Sequence, residues 1–162
     1  MNKSEYRINL VSNYLVTLNL EDEIQNYFSG RNILVTGGAG AIGSNLAIAL
    51  SKLVGDDGMV IVLDNLSAIK GDDPIDFPSM PNVMFVTGDV RSDIDLKRVI
   101  RERPTIIYHL AAFFANQNSV DYPETSADVD INGMIKLLDL AQFTNVERFL
   151  YASSGCAIYG SY

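Results

Sequence analysis

The sequence predicts an α/β fold in which helices cover both faces of a doubly wound parallel sheet. Three observations predict it: short apolar runs recur along the chain, helical stretches separate them, and a glycine-rich turn follows the first run. Strands that do not alternate between apolar and polar residues are typical of sheets buried on both faces. Repeated strand–helix–strand units give right-handed crossovers, and therefore parallel strands.

Five apolar runs mark the strands. They are Asn32–Thr36 (NILVT), residues 59–63 (MVIVL), residues 83–86, residues 105–108 and Arg148–Tyr151. Helical periodicity appears at residues 44–53, 93–103 and 128–143. Residues 65–81 form a long predicted loop with three prolines, which favours a position near a ligand or at the rim of the domain.

The first 30 residues differ from the rest of the chain. Their apolar residues recur at roughly helical spacing: Ile8, Leu10, Val11, Leu15, Leu18, Ile24, Tyr27 and Phe28. We expect one or two amphipathic helices that end near Ser29 and Gly30, since glycine commonly follows a helix end. This helical extension, residues 1–30, either packs on the outside of the domain formed by residues 31–162 or serves as a dimerisation or membrane-surface helix. The acidic residues 21–23 disfavour the membrane.

Composition narrows the class of protein. With 162 residues, 48% of them apolar, the chain suits one globular domain with an appendage. A net charge of −8 disfavours nucleic acid and anionic lipid as partners. The single cysteine, Cys156, and the lack of a membrane-spanning run or signal-peptide core in these residues predict a cytoplasmic protein. No clustered metal-ligand spacing is present, so no metal site is predicted.

The glycine-rich turn indicates a phosphate-binding function. Residues 36–43 read TGGAGAIG, which contains G-x-G-x-x-G from Gly38 and T-G-x-x-G-x-x-G from Thr36. A buried strand precedes the turn and a helix follows it, as in dinucleotide-binding proteins. Without a Cβ the backbone can approach a diphosphate closely, and the free amides of the next helix point at it. The alternative is a glycine-rich turn used only for packing.

An aspartate at the end of the second predicted strand favours NAD as the dinucleotide. Asp64 lies 21 positions after Gly43, close to the spacing at which an acid meets the adenosine ribose. Its carboxylate would accept hydrogen bonds from the ribose hydroxyls and repel the 2′-phosphate of NADP. The alternative is an aspartate in a surface loop, and Lys70 is the first cation that follows. Together these features predict a Rossmann-type sheet of about five strands in the order 3-2-1-4-5.

Five ordered motifs carry a family resemblance. They are TGGAGAIGSNLA, VLDNLS, VTGDVR, IIYHLAA and YASSGCAIYG. From about residue 32 to residue 160 the chain resembles the extended short-chain dehydrogenase/reductase family, which includes nucleotide-sugar 4-epimerases, dehydratases and their relatives.

The resemblance implies cofactor-binding roles for matching positions. The residues lining the diphosphate would be Gly37, Gly40, Ala41, Ile42 and Gly43. Asp64 and Asn65 would hold the adenosine ribose, and Asp89 and Val90 would frame the adenine. The residues beside the diphosphate and the nicotinamide ribose would be Leu110, Ala111 and Ala112. Asp130 would also contact the cofactor, although relatives usually carry asparagine at its position.

The resemblance also implies a catalytic hydroxyl. Ser153 and Ser154 directly follow the fifth predicted strand, at the edge that faces the ligand crevice in such sheets. One of them, preferably Ser154, would hydrogen-bond the reacting oxygen of the substrate, although a serine pair can also cap a turn. We interpret His109, the only histidine, as structural and Cys156 as a packing residue.

The activity implied is hydride transfer between a sugar carbon of a nucleotide sugar and tightly held NAD, most favourably 4-epimerisation. Residues 155–157 lack the acids that dehydratases carry there, which favours an epimerase or a reductase. The family's general acid/base is a tyrosine four residues before a lysine, and neither Tyr159 nor Tyr162 is followed by lysine. We therefore expect an NAD-binding portion that is inactive alone, with an exposed sheet edge after the fifth strand. The alternatives are a non-catalytic NAD-binding module or a dehydratase or reductase of the same family, and the intact protein could form a homodimer.

Overall fold

The strands form one parallel sheet. The structure, a computed structural model, describes residues 3–68, 77–114 and 116–153. Its strands are β1 (Asn32–Thr36), β2 (Met59–Asp64), β3 (Val83–Thr87), β4 (Ile106–His109) and β5 (Arg148–Tyr151). They pair in the order β3-β2-β1-β4-β5, and each pairing is parallel. The α/β fold with a Rossmann-type strand order that the sequence predicts is therefore confirmed.

Helices flank this sheet on both sides, and two of them precede its first strand in the chain. They are α1 (Lys3–Leu18), α2 (Asp22–Phe28), α3 (Ala41–Val54), α4 (Asp93–Ile100), α5 (Asn116–Asp121), α6 (Pro123–Ser126), a π-helical segment (Ala127–Asn132) and α7 (Gly133–Ala141). Of these described helices, none is both long and apolar enough to cross a membrane.

Each face of the sheet has its own apolar core. On one face Leu34, Ile61 and Ile107 pack with Leu96 of α4 and Leu137 of α7. The opposite core contains Ile33, Val35, Val60, Val62 and Ile106 from the strands and Ala47, Leu50 and Val54 from α3. The central strands are covered on both sides, which explains why their sequences are apolar without alternation.

Two predicted helices differ in extent from the structure. Helix α4 ends at Ile100 rather than at residue 103, because Arg103 has a left-handed φ of +52° and a proline follows it. The helix predicted over residues 128–143 is divided, since Ala127–Asn132 has π-helical hydrogen bonding and α7 begins at Gly133. A Cβ at Gly133 would lie 2.8 Å from Cγ2 of Val90, so this glycine permits close packing against the loop after β3.

Other differences concern polar and edge segments. The short helices α5 and α6 were not predicted, because their sequences NQNSVD and PETS carry little apolar periodicity. The middle of the predicted long loop, residues 69–76, lies outside the described residues. Strand β5 is the last strand in the pairing order, and its Leu150 and Tyr151 are exposed.

Helix α1 lies against α3 through one face. The Arg7 guanidinium donates a hydrogen bond from Nη2 to Oγ of Ser44 on α3, at 2.6 Å. A groove of about 300 Å³ between the two helices is lined by residues that include Leu15 and Leu53. No residue of α1 is fully buried. The helix thus covers the outer side of α3 without entering the core.

A buried polar pair joins β1 to β4. Thr36 and His109 are register partners, and Oγ1 of Thr36 lies 2.7 Å from Nδ1 of His109. The histidine side chain is 1% exposed, and its Nε2 has no hydrogen-bond partner among the described residues. Burial lowers the pKa of His109 from 6.5 to about 4, against a smaller opposing effect of Asp130. His109 is therefore neutral at pH 7 in the folded chain.

This pKa predicts a loss of stability in mild acid. Between pH 6.5 and pH 4 the unfolded chain binds a proton at His109 that the folded chain does not bind, so the free energy of unfolding falls by roughly 3 kcal/mol. Urea unfolding at pH 7.5, 6.0, 5.0 and 4.5 measures this loss. The variant His109→Asn keeps a polar atom near Thr36 but does not titrate. Its free energy of unfolding should therefore fall less steeply as the pH is lowered. Equal slopes for the two proteins would show that His109 is not the group responsible.

Candidate functional site

The glycine-rich turn lies at the carboxyl end of β1, in the middle of the sheet. Gly37 has a left-handed φ of +69°, and a Cβ there would lie 2.7 Å from the amide nitrogen of Ala111 and 2.8 Å from the carbonyl carbon of Leu110. A Cβ at Gly43 would collide with the carbonyl oxygen of Gly37. Both positions therefore need glycine, for backbone conformation at the first and for close packing at both.

The turn leads into an uncapped helix. Gly40 is the N-cap of α3, and none of the described side chains caps this helix end with a hydrogen bond. The first two residues of this turn, Ala41 and Ile42, are exposed. Backbone amides at such an end carry partial positive charge and bind anions. The predicted diphosphate site, residues 37–43, thus has the form that an anion requires.

Asp64 connects the end of β2 to this turn. Its Oδ2 accepts a hydrogen bond from the Ala39 amide at 2.8 Å, and its Oδ1 accepts one from the Leu66 amide at 2.7 Å. Leu66 has a left-handed φ of +61°, a conformation that the second bond helps to hold. Each carboxylate oxygen keeps a further lone pair, so Asp64 can still accept hydrogen bonds from a ligand hydroxyl.

Asp89 follows β3 and forms an ion pair that the sequence interpretation missed. Arg91 donates to both of its carboxylate oxygens, from Nε at 3.0 Å and from Nη2 at 2.8 Å, and Asn65 donates to Oδ2 at 2.9 Å. The hydrogen bonds from Arg91 are the main reason why the pKa of Asp89 lies far below its usual value. Asp89 and Asn65 are thus neighbours, as their predicted roles at adjoining parts of one ligand require, and Val90 beside them is buried. Arg91 in the VTGDVR motif was the sequence signal from which this ion pair could have been predicted.

The segment after β4 runs beside the glycine-rich turn. The amide of Ala111 donates to Oγ1 of Thr36 at 3.3 Å, which holds this segment against β1. Leu110 is half-buried and Ala112 is exposed. The predicted cofactor residues 110–112 therefore lie at the same edge of the sheet as Gly37.

Asp130 is hydrogen-bonded to the segment after β4. Its Oδ1 accepts a hydrogen bond from the amide of Phe113 at 2.8 Å, and its Oδ2 accepts one from the hydroxyl of Ser126 at 2.9 Å. Each of its oxygens thus accepts one hydrogen bond within the protein. In this structure the aspartate acts on residues 110–112 through the backbone that continues from them.

The predicted catalytic serines are only partly described. Ser153 is exposed, and the preceding residue, Ala152, donates its amide to the carbonyl of His109 at 3.2 Å. This bond continues the alignment of β5 with β4, so Ser153 lies at the same edge as the glycine-rich turn. Ser154, the preferred serine, lies outside the described residues, as does Cys156.

Comparison with known proteins identifies the family. The model of the NAD-dependent epimerase/dehydratase family matches residues 33–162, which is most of the chain. The chain belongs to the NAD-dependent epimerase/dehydratase family. The resemblance carried by the five sequence motifs is thereby confirmed.

Individual members of the epimerase/dehydratase family agree with this assignment. The UDP-glucose 4-epimerase of Mycolicibacterium smegmatis is 35% identical over 129 residues, which are 79% of this chain and 40% of the relative. A solved epimerase from Methanothermobacter thermautotrophicus is 48% identical, with a TM-score of 0.77 over 85% of this chain and 39% of that chain. The Bordetella bronchiseptica enzyme WbmF, solved in complex with NAD+, is 28% identical, with a TM-score of 0.69 over 80% of this chain and 38% of that chain. This chain thus spans about 40% of the length of the curated relative.

The described residues fit the cofactor of the epimerase/dehydratase family. At Gly37 and Gly43 the backbone is kept bare where a Cβ would collide, and the helix end beside them has no side-chain cap from the part of the chain that the structure describes. A carboxylate, Asp64, stands at the end of the adjacent strand with lone pairs to spare. These are the features with which a sheet of this order binds the diphosphate and the ribose of NAD.

Two glycine substitutions separate conformational strain from collision. Gly37 and Gly55 both have φ of +69°, but a Cβ at Gly55 would meet no atom within 4 Å. We expect Gly55→Ala to lower the free energy of unfolding by about 1–3 kcal/mol, because a backbone with φ of +69° and ψ of −164° is essentially confined to glycine. Gly37→Ala should cost about twice as much or more, because the backbone at Ala111 must also move. Urea unfolding measures both, and equal losses would show that the contact with Ala111 is not tight.

Proposed function

We propose that the glycine-rich turn and its neighbours bind NAD, and that the intact protein is a nucleotide-sugar 4-epimerase. The observation that carries the proposal is the bare backbone at Gly37, held against Ala111 at the exposed N-terminal end of α3. Support also comes from relatives, since UDP-glucose 4-epimerases from Mycolicibacterium smegmatis and Lactobacillus helveticus each match 79% of this chain. Because the chain spans 40% and 36% of their lengths, the activity, the nucleotide-sugar substrate and the partners of the whole protein are part of the proposal.

Each part of the site has a proposed role. Five residues of the turn would hold the diphosphate: Gly37, Gly40, Ala41, Ile42 and Gly43. Asp64 and Asn65 would accept and donate hydrogen bonds at the adenosine ribose. Asp89 and Val90 would bound the adenine, with the Asp89 carboxylate fixed by its pairing with Arg91. Three residues would lie beside the diphosphate and the nicotinamide ribose: Leu110, Ala111 and Ala112. Asp130 would position them through Phe113.

The proposed reaction is reversible oxidation at one sugar carbon. NAD, when bound, supplies the hydride acceptor in the first half and the hydride donor in the second. The hydroxyl of Ser154, or else of Ser153, would hydrogen-bond the oxygen of the reacting carbon. A tyrosine base followed four residues later by lysine does not occur in these 162 residues. We therefore propose that this chain binds the cofactor and is inactive by itself, or that it acts as a binding module without catalysis.

The organisation of the whole protein follows from the same proposal. We propose that residues 1–30 are a helical extension and that residues 31–162 form the NAD-binding domain.

The exposed face of α1 supports a homodimer, because apolar side chains recur there at i, i+4 spacing and face solvent: Tyr6, Leu10, Tyr14 and Leu18. A cytoplasmic location is proposed from the single cysteine.

The choice between NAD and NADP tests the role of Asp64. Isothermal titration of both dinucleotides into the 162-residue chain should show NAD binding at least about tenfold tighter, because the carboxylate repels the 2′-phosphate. Asp64→Asn removes that charge and should narrow the ratio to about threefold or less. The control Asp57→Asn removes an equal charge from an exposed position before β2, at the opposite edge of the sheet, and should leave the ratio unchanged. Tighter binding of NADP by the unaltered chain would contradict the proposal.

The 4-epimerase assignment is tested by incubating UDP-glucose with the whole product of the gene and separating the C4 epimers by chromatography. We expect UDP-galactose to form with no net consumption of NAD, because each hydride removed is returned. Loss of water from the sugar, or stoichiometric reduction of NAD, would instead identify a dehydratase or a dehydrogenase. UDP-glucose left unchanged, with other nucleotide sugars unchanged as well, would favour the binding module.

A further inference from the structure

The protein itself fills the hydrogen-bonding capacity of Asp89, the carboxylate that we propose to bound the adenine. Its Oδ1 accepts from the amide of Arg91 at 2.9 Å and from Nε of Arg91 at 3.0 Å. Its Oδ2 accepts from Nη2 of Arg91 at 2.8 Å and from Nδ2 of Asn65 at 2.9 Å. An ionised carboxylate offers about four lone-pair sites. The four N–H donors therefore occupy all of them.

The contact with Asn65 places this carboxylate beside the proposed ribose site. Asn65 directly follows Asp64, and Asp64 is the register partner of Thr87, two residues before Asp89. The base of a nucleotide whose ribose binds at Asp64 would therefore lie within reach of the segment after β3. What Asp89 offers to that base decides whether the site distinguishes one purine from another.

Arg91 is held against Asp89 by contacts that do not involve a ligand. Its carbonyl oxygen accepts from Nζ of Lys136 on α7 at 2.7 Å, and Lys136 also pairs with Asp93 at 3.0 Å. Nη1 of Arg91 lies 3.8 Å from Oδ2 of Asp128 in the π-helical segment. Two other elements of the fold thus fix Arg91. A ligand could free Asp89 only by breaking two charge-assisted hydrogen bonds from the guanidinium.

The group at position 6 of the purine distinguishes adenine from hypoxanthine. Adenine carries an amino group there, which donates, whereas hypoxanthine carries a carbonyl oxygen, which accepts. A carboxylate with free lone pairs would accept from the amino group and repel the carbonyl oxygen, and a site built on such a bond rejects the analogue that lacks it. Asp89 has its lone pairs filled and its charge balanced by Arg91. The hydrogen bonds from Arg91 also hold the pKa of Asp89 far below its usual value, so at neutral pH it has no proton to donate to the carbonyl.

We propose that Arg91 determines base specificity by withholding the Asp89 carboxylate from the purine, so that the site accepts the hypoxanthine dinucleotide about as well as NAD. The proposal rests on the proposed NAD site at residues 37–43 and Asp64. Arg91 is a positioning residue in this account, because it acts through Asp89 and needs no contact of its own with the base. The diphosphate and the nicotinamide are the same in the two dinucleotides, so the comparison isolates the purine.

The test is isothermal titration of NAD and of nicotinamide hypoxanthine dinucleotide into the 162-residue chain. For the unaltered chain we expect the two dissociation constants to agree within about threefold. Arg91→Met keeps the apolar stem but removes the guanidinium, which frees two lone pairs of Asp89. NAD should then bind at least about tenfold tighter than the analogue, as expected for one hydrogen bond to a charged group. The control Arg98→Met alters an exposed arginine in the last turn of α4 and should leave the ratio unchanged.

Two further variants separate base specificity from a structural effect. When Arg91→Met is combined with Asp89→Asn, the amide at position 89 offers both a donor and an acceptor, so either purine finds a partner. The ratio should then return to within about threefold, even if both affinities fall. Arg91→Lys supplies a single point donor instead of the two-pronged guanidinium and should give an intermediate ratio. If Arg91→Met folds poorly, the lysine variant replaces it.

Several results would overturn the proposal. A preference of tenfold or more for NAD in the unaltered chain would do so, because it would mean that the amino group is recognised. An equal loss of affinity for both dinucleotides in Arg91→Met would assign Arg91 a purely structural role, and so would a ratio that the double variant does not restore. Absence of binding of either dinucleotide by the unaltered chain would refute the NAD site itself, whereas NAD binding with strong selection against hypoxanthine would refute this inference alone.

Discussion

The close approach of two backbones, at Gly37 and at Ala111, is the constraint on which the rest of the site depends. Strands β1 and β4 run side by side in register, with Thr36 opposite His109, so the chain leaves both strands at the same level. A Cβ at Gly37 would lie 2.7 Å from the amide nitrogen of Ala111. The hydrogen bond from that amide to Thr36 holds the two segments together. This contact lets the turn pass closely over the sheet and present the free amides of α3 to a ligand.

Hydrogen bonds that carboxylates accept extend the same arrangement outward. Asp64 joins the turn to the end of β2, and Asp130 joins the segment after β4 to the π-helical segment. Asp89, which Arg91 keeps ionised, marks the end of β3. The segments that follow β1, β2, β3 and β4 are thus each fixed by an acidic side chain. Fixed polar groups of this kind reduce the reorganisation that binding requires, which favours tight retention of a cofactor.

The sheet could be predicted from the sequence because burial on both faces leaves a strong signal in runs such as Asn32–Thr36. The glycine-rich turn and Asp64 could be predicted because their spacing reflects backbone geometry. The π-helical segment could not, since it depends on the packing of Gly133 against Val90 and on the bonds of Asp130. The contact of Arg7 with Ser44 joins residues 37 positions apart in sequence, and local periodicity carries no information about it. Roles for Ser153 and Ser154 remain predictions.

The central claim is that a diphosphate binds to the backbone amides at the start of α3. Amide chemical shifts of the ¹⁵N-labelled chain, recorded during titration with NAD, test it most directly. The account predicts large shift changes for the amides of residues 40–43 and of Ala111, with smaller changes near Asp64. Saturable binding that leaves residues 40–43 unperturbed, or an unchanged spectrum at millimolar NAD, would contradict it.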